Sequence, residues 1–293
     1  MTRMALEISD LRLSFEGITE TTEVLHGISL SVAPEERVAL VGESGSGKSV
    51  TARAVLGLLQ SQKRVRMSGR IEFEGQDLAE MTSRQRQALR GSRLSMIFQD
   101  PVSSLNPVYR IQTQFHEVLK RDDPSISLED AKRRIRPMLS EVSIAEPDRV
   151  LESFPFQLSG GMNQRVMIAM ALINEPSLLI ADEPGTALDV TVQDQTLRLM
   201  RRLVERRRAA VLFISHNLGI VREFSDRIYV IHTGRIVEEG PTDAVFANPG
   251  HPYTRALLAA VPRITGGDIP EIDENPSAYE APRVVHAPAA GVA

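Results

Sequence analysis

The stretch Gly42-Glu43-Ser44-Gly45-Ser46-Gly47-Lys48-Ser49 constrains this chain more than any other. An apolar, strand-like run at 38–41 precedes it, and a helix-compatible run at 48–59 follows. Glycines let consecutive backbone N–H groups turn inward onto phosphate oxygens, and the helix start adds its partial positive charge. In this pattern Lys48 reaches the β- and γ-phosphates and the Ser49 hydroxyl ligates Mg²⁺. The bland alternative is a Gly/Ser turn, but the strand before it and the helix after it both fit a nucleotide loop. Lysine is otherwise scarce, with only Lys63, Lys120 and Lys132 besides Lys48, so lysine at this position stands out among the arginines.

With 293 residues, the chain can bury a full core as one large domain or two small ones. A formal net charge of -4 gives no reason to expect nucleic acid as a partner. The absence of cysteine excludes disulfides, thiolate metal sites and a cysteine nucleophile together. Met1-Thr2-Arg3-Met4-Ala5-Leu6 lacks the apolar core of a secretory signal, and no run approaches the roughly 18 apolar residues that cross a bilayer. The expectation is a soluble, cytoplasmic chain that meets a membrane only through partners.

Residues 5–41 read as short strands broken by Gly and Pro: 6–8, 11–15, 28–32 and 38–41. Further strands are expected at 70–73 and 94–98. From about 101 to 176 the pattern turns helical, with Ser127 as an N-cap, Pro137 placed to kink or divide its helix, and a second helix after Ser159. Strands at 178–181, 210–215 and 228–232 then alternate with helices at 192–207 and 218–224, which implies parallel strands covered by helices. Past Pro262 the composition drifts to Pro, Ala, Gly and acidic residues, and little order is expected there.

Leu178-Leu179-Ile180-Ala181-Asp182-Glu183 is an apolar strand ending in two carboxylates. Asp182 suits a magnesium ion held on a nucleotide, and Glu183 is placed to orient or deprotonate an attacking water. Leu158-Ser159-Gly160-Gly161-Met162-Asn163-Gln164-Arg165 is a second glycine-opened helix start, hence a second anion site. With the first loop and the acidic strand, this segment resembles the signature loop of ABC transporter ATP-binding subunits. The likeness covers roughly residues 5–262. Within it, Phe98-Gln99-Asp100-Pro101 and His251-Pro252-Tyr253-Thr254-Arg255-Ala256-Leu257-Leu258 are most similar to oligopeptide, dipeptide and nickel importers, in the first of their two ATPase subunits.

That resemblance implies an α/β, P-loop NTPase (RecA-like) core with an N-terminal antiparallel β subdomain and an inserted α-helical subdomain. The cassette would span 1–262, the helical insert about 101–176, and a tail 263–293. It implies ATP held by Gly42, Ser44, Gly45, Ser46, Gly47, Lys48, Ser49 and Val50, with Phe15 stacked on adenine. Catalysis falls to Glu183, His216, Gln99 and Lys48, and Mg²⁺ to Ser49, Gln99 and Asp182. Ser159, Gly160, Gly161 and the D-loop Asp189 would contact the nucleotide of a second ATPase subunit; likeness to a first subunit favours a heterodimer, with a homodimer allowed. Two membrane permeases are implied, with residues 102–114 passing motion to them, and beyond them an extracytoplasmic solute-binding protein. No nucleic-acid partner is implied. The location is the cytoplasmic face of the inner membrane, and the cargo di- or oligopeptides, with nickel or metallophore chelates and glutathione as alternatives. A non-transport ABC ATPase of DNA repair or translation fits less well, because the chain has one cassette and no sustained heptads. A regulator without catalysis conflicts with an intact Glu183 and His216. Departures from the pattern are Gly185 and Asn217, where relatives commonly carry Thr and Asp, and Phe156 and Asn163, read as features of a partner surface.

Overall fold

The computed structural model describes residues 3–60, 62–185, 190–260, 272 and 275–287. By contact density it divides into two compact units, Met1–Glu80 with Leu212–Ala293, and Met81–Val211.

The first unit opens with β1 (Leu6–Glu16) and β2 (Thr21–Val32), then β3 (Arg37–Val41), α1 (Lys48–Val55), β4 (Val65–Phe73) and β5 (Gln76–Asp77). The antiparallel sheet runs β2-β1-β4-β5. Leu6, Ile8, Leu11 and Leu13 point from β1 into the core. The two short strands expected at 6–8 and 11–15 are one continuous strand. Its register shifts between Ile8 and Leu11, so a bulge absorbs the residues that break strict alternation. Asp10 turns left-handed there (φ 46°), opposite Gly69 (φ 91°), where any Cβ would collide with the Asp10 carbonyl. The same pairing lengthens β4 well beyond the expected 70–73.

The helix after the glycine loop stops at Val55, short of the expected residue 59. Gly57 (φ 67°) explains the stop: its N–H meets the Ala54 carbonyl and the Leu58 N–H reaches back to Arg53, closing a Schellman cap.

The second unit holds α2 (Ser83–Leu89), β6 (Leu94–Ile97), α3 (Pro101–Ser104), α4 (Ile111–Leu119), α5 (Leu128–Glu141), α6 (Pro147–Glu152), α7 (Gly160–Leu172), β7 (Leu178–Asp182) and α8 (Val190–Arg207), with the start of β8 (Ala210–Ser215). Helices α3 to α7 thus lie between the parallel pair β6 and β7. Pro137 neither ends nor divides α5. It sits on the exposed face, as does Arg133, whose carbonyl loses its donor and is left to water. Ala131, Ile135, Met138 and Leu139 form the buried stripe of this helix. Helix α7 is buried nearly all round.

The chain then returns to the first unit through α9 (Leu218–Phe224), β9 (Arg227–His232), β10 (Arg235–Pro241), α10 (Thr242–Ala247), α11 (Pro252–Ala259) and β11 (Val284–Val285). Its second sheet is ordered β11-β10-β9-β3-β8, with β3 and β9 parallel from Val38↔Arg227 to Val41↔Val230. The expectation of little order past 262 fails at 275–287. A 3-10 turn at Pro276–Tyr279 leads into β11, which pairs in parallel with Glu238 and Glu239 of β10.

Candidate nucleotide site

Strand β3 delivers the glycine loop from a fully buried position, since Val38 to Val41 expose none of their surface. A Cβ on Gly42 would strike the carbonyl oxygen of Ile231, so the chain can pass β9 only as glycine. Gly47 (φ 106°) occupies the N-cap of α1 in the left-handed region, and a Cβ there would lie 2.6 Å from Leu25. Lys48 is buried, and its ammonium donates to the carbonyls of Gly42 (2.8 Å) and Glu43 (2.6 Å), tying both ends of the loop together. Ser44 and Gly45 are exposed, and Ser49 and Val50 are partly so.

The Glu43 N–H, at the loop's entrance, donates to the hydroxyl of Tyr253 at 3.0 Å. Burial outweighs the opposing hydrogen bond from the Glu43 N–H and, with the Glu43 carboxylate nearby, pushes the Tyr253 phenol far above its ordinary range, so it stays neutral. The sequence marked 251–258 as a closing helix but did not show this contact, which joins residues 210 positions apart.

Phe15 lies on β1, paired with Thr22 and Val65, and is partly exposed. His216 follows β8 and is exposed. Asn217 beside it caps α9, its side-chain oxygen accepting from the Ile220 N–H, a role an amide fills as well as a carboxylate.

In the second unit, β7 ends at Asp182, which is buried to 6% exposure. Glu183 then turns left-handed at φ 48°, an uncommon conformation for a residue with a Cβ. The turn sets its carboxylate 2.9 Å from the side-chain amide of Gln99, which donates to it. Structure thus joins two candidate residues that are 84 positions apart in sequence. Gly185 also has positive φ (96°), a conformation that glycine adopts without a Cβ penalty. Asp189 lies outside the described residues.

Ser159 caps α7, its hydroxyl accepting from the Met162 N–H at 3.3 Å. A cavity of about 380 Å³ opens against this turn, lined by Ser159, Gly161 and Met162 with Arg165 and the ion pair of Arg149 with Glu146. Asn163 is a correction. It is buried, and its amide donates to the Pro155 carbonyl at 3.0 Å, so it braces the turn and faces no partner. Phe156 is 71% exposed, with Phe154 stacked beside it at 5.5 Å.

A glycine loop on a parallel strand, an acidic strand end and a glycine-opened helix define a nucleotide-binding cassette. The family model described as ABC transporter matches residues 25–186, and the one described as oligopeptide/dipeptide transporter, C-terminal region, matches 237–284. The peptidoglycan transport ATP-binding protein YejF of Agrobacterium fabrum is 47% identical over 93% of this chain and 49% of its own length. The oligopeptide transport ATP-binding protein OppD of Bacillus subtilis is 43% identical over 92% of this chain and 75% of its own. The chain therefore spans about half of the first relative and three-quarters of the second. Among solved structures, a dimeric ATP-binding cassette in a post-hydrolysis state bound to ADP and Pi superposes with a TM-score of 0.71. It is 24% identical, covers 81% of this chain and 98% of its own, and supports the fold. The chain belongs to the ABC transporter family as an ATP-binding subunit, an ATPase of the transport-coupled class.

Proposed function

We propose that this chain is one of two ATPase subunits of an importer for peptide-bearing solutes, acting at the cytoplasmic face of the inner membrane. The observation that carries the cargo class is the match of residues 237–284 to the oligopeptide/dipeptide transporter region. Relatives named for oligopeptide, dipeptide and peptidoglycan transport support it, all of them molecules that carry peptide bonds. Two permeases and an extracytoplasmic binding protein complete the machine, and the companion ATPase is a different chain.

Each site residue then has a role on the nucleotide. The amides of 45–50 and the Lys48 ammonium take the phosphates, and Phe15 takes the adenine face. Ser49 and Asp182 are hard oxygen donors of the kind Mg²⁺ selects, with Gln99 assisting. An Mg²⁺ ion here would be held chiefly through phosphate and water. Bound Mg²⁺ would neutralise developing phosphate charge. The Glu183 carboxylate, held by the Gln99 amide, accepts the proton of the attacking water, and His216 hydrogen-bonds the γ-phosphate. Ser159, Gly160, Gly161 and Asp189 serve the companion's nucleotide.

The test is uptake by proteoliposomes containing this chain, its companion and both permeases. ATP-driven accumulation of a labelled dipeptide or tripeptide is expected with the cognate binding protein present. Accumulation of a nickel chelate with no uptake of any peptide, glutathione included, would overturn the cargo assignment.

A further inference from the structure

We propose that Tyr253 is a positioning residue for the phosphate loop, and that the C-terminal strap at 275–287 holds it in place. The proposal rests on reading 42–49 as the nucleotide loop, and gives the strap a purpose that the ATPase chemistry itself does not assign.

Three observations converge. First, the Tyr253 side chain is fully buried, and its hydroxyl receives the Glu43 N–H at the point where the chain leaves β3 for the loop. Gly42 on the other flank is wedged against the Ile231 carbonyl. The loop entrance is therefore fixed between the end of β9 and one phenol. Second, the Tyr253 ring is enclosed by aromatic neighbours. The His232 ring lies 4.0 Å away, and Tyr279 of the strap meets both Tyr253 and His232 edge-on at 5.5 Å. Third, the strap is anchored by polar contacts to the same helix. Glu238 is completely buried and accepts from the Gly250 N–H (2.7 Å) and the His251 N–H (3.0 Å) at the start of α11. It also lies 2.6 Å from the Nε2 of His286 in the strap. The ion pair of Arg283 with Glu239 and the pairing of β11 on β10 complete the anchor.

A phosphate loop binds by presenting amides already aimed inward, so any contact that limits its alternatives before ATP arrives raises affinity. The strap restrains Tyr253, and Tyr253 restrains Glu43. Docking of the strap is thereby coupled to nucleotide affinity, a handle by which a partner that lifts the strap would loosen ATP.

The experiment uses the full chain and a fluorescent N-methylanthraniloyl ATP. Tyr253→Phe keeps the ring and its packing and removes only the acceptor. Its dissociation constant for the ATP probe should rise about three- to tenfold, the worth of one hydrogen bond. Adenosine, measured by competition, should change little, because it lacks the phosphates that the loop amides hold. Hydrogen exchange should quicken in the peptide covering 38–50. Tyr279→Ala, which does not touch the loop, should shift ATP affinity in the same direction, and the double variant should be no weaker than Tyr253→Phe by itself. Unchanged ATP affinity in Tyr253→Phe, or an equal loss for adenosine, overturns the proposal. Additive effects, or an unchanged Tyr279→Ala, overturn the part played by the strap. Lys48→Ala separates the underlying reading: if it binds ATP as tightly as the natural chain, the nucleotide loop itself is misassigned.

Discussion

At Glu183 the backbone adopts a conformation that costs a residue with a Cβ about 1–2 kcal/mol, and the return is a carboxylate held against the Gln99 amide. Backbone strain beside a buried Asp182 makes sense if the carboxylate must stand at one place when water attacks. Replacing it isosterically separates binding from chemistry. Glu183→Gln should leave ATP affinity within about twofold and lower steady-state hydrolysis by about 10²- to 10³-fold, as loss of a general base does. Phosphate release and probe binding measured on one preparation would show it, and unchanged turnover would remove Glu183 from the mechanism. Lys48 behaves in the opposite way. Its ammonium bridges the Gly42 and Glu43 carbonyls, so Lys48→Ala should lower both affinity and turnover by at least about tenfold. ATP binding as tight as in the natural chain would show that 42–49 is not the nucleotide loop.

Among the elements, the end of β9 with β10, α11 and β11 forms a block whose stability depends on protonation. Burial, with a smaller contribution from His251, holds the His232 pKa below its ordinary 6.5. Burial does the same at His251, with Arg255 adding to the effect while the Ala281 carbonyl and Glu238 oppose it. Burial opposes ionisation of Glu238, but hydrogen bonds from Thr254, Gly250, His286 and His251 outweigh it and leave its pKa lowered. The signs agree. Below about pH 6.5 the unfolded chain takes up protons on these histidines that the folded chain refuses, so stability falls as pH falls, and the ionised Glu238 adds a further loss below its unfolded value of 4.5. Each histidine contributes at most about 1.4 kcal/mol per pH unit within its window. Thermal melts from pH 7.5 to 5.5 should show a falling midpoint, and His232→Gln should flatten part of that slope; a flat profile in the natural chain would contradict the linkage. Little of this block was legible in the sequence. Period and punctuation reveal β3, α1, α7 and β7, because each is a local pattern ending in glycine, serine or a carboxylate. The partners of Glu238 lie 12 to 48 residues away, and the strap that holds them shows no helical or strand periodicity among its Pro and Ala residues, so it looked like a loose tail. Asn163 misled for the same reason: a polar side chain in a sequence reads as surface until the Pro155 carbonyl appears beside it.

For the molecule as a whole, the feature to explain is that one chain carries two glycine-opened helix starts, at Lys48 and at Gly160. The loop at 42–49 is occupied by its own lysine and glycines, while the turn at Ser159 borders a cavity lined by Arg149 and Arg165. Members of the family work in pairs, and a helix N-terminus opening on a cavity with Arg165, and with Arg149 in an ion pair with Glu146, suits the terminal phosphate of a nucleotide held by another subunit. Nucleotide should then act as a cross-link between subunits, and hydrolysis should release it. The Glu183→Gln chain, which binds without hydrolysing, should sediment as a larger species when mixed with its companion ATPase and Mg²⁺·ATP, and as separate subunits with Mg²⁺·ADP. Ser159→Arg, which fills the turn with a bulky cation, should weaken that association by about tenfold or more while leaving probe binding to the chain's own loop intact. Analytical ultracentrifugation of the single chain and of the mixture distinguishes the two arrangements. An ATP-dependent dimer of this chain without the companion would favour the homodimer, and no ATP-dependent species in either case would refute the shared site.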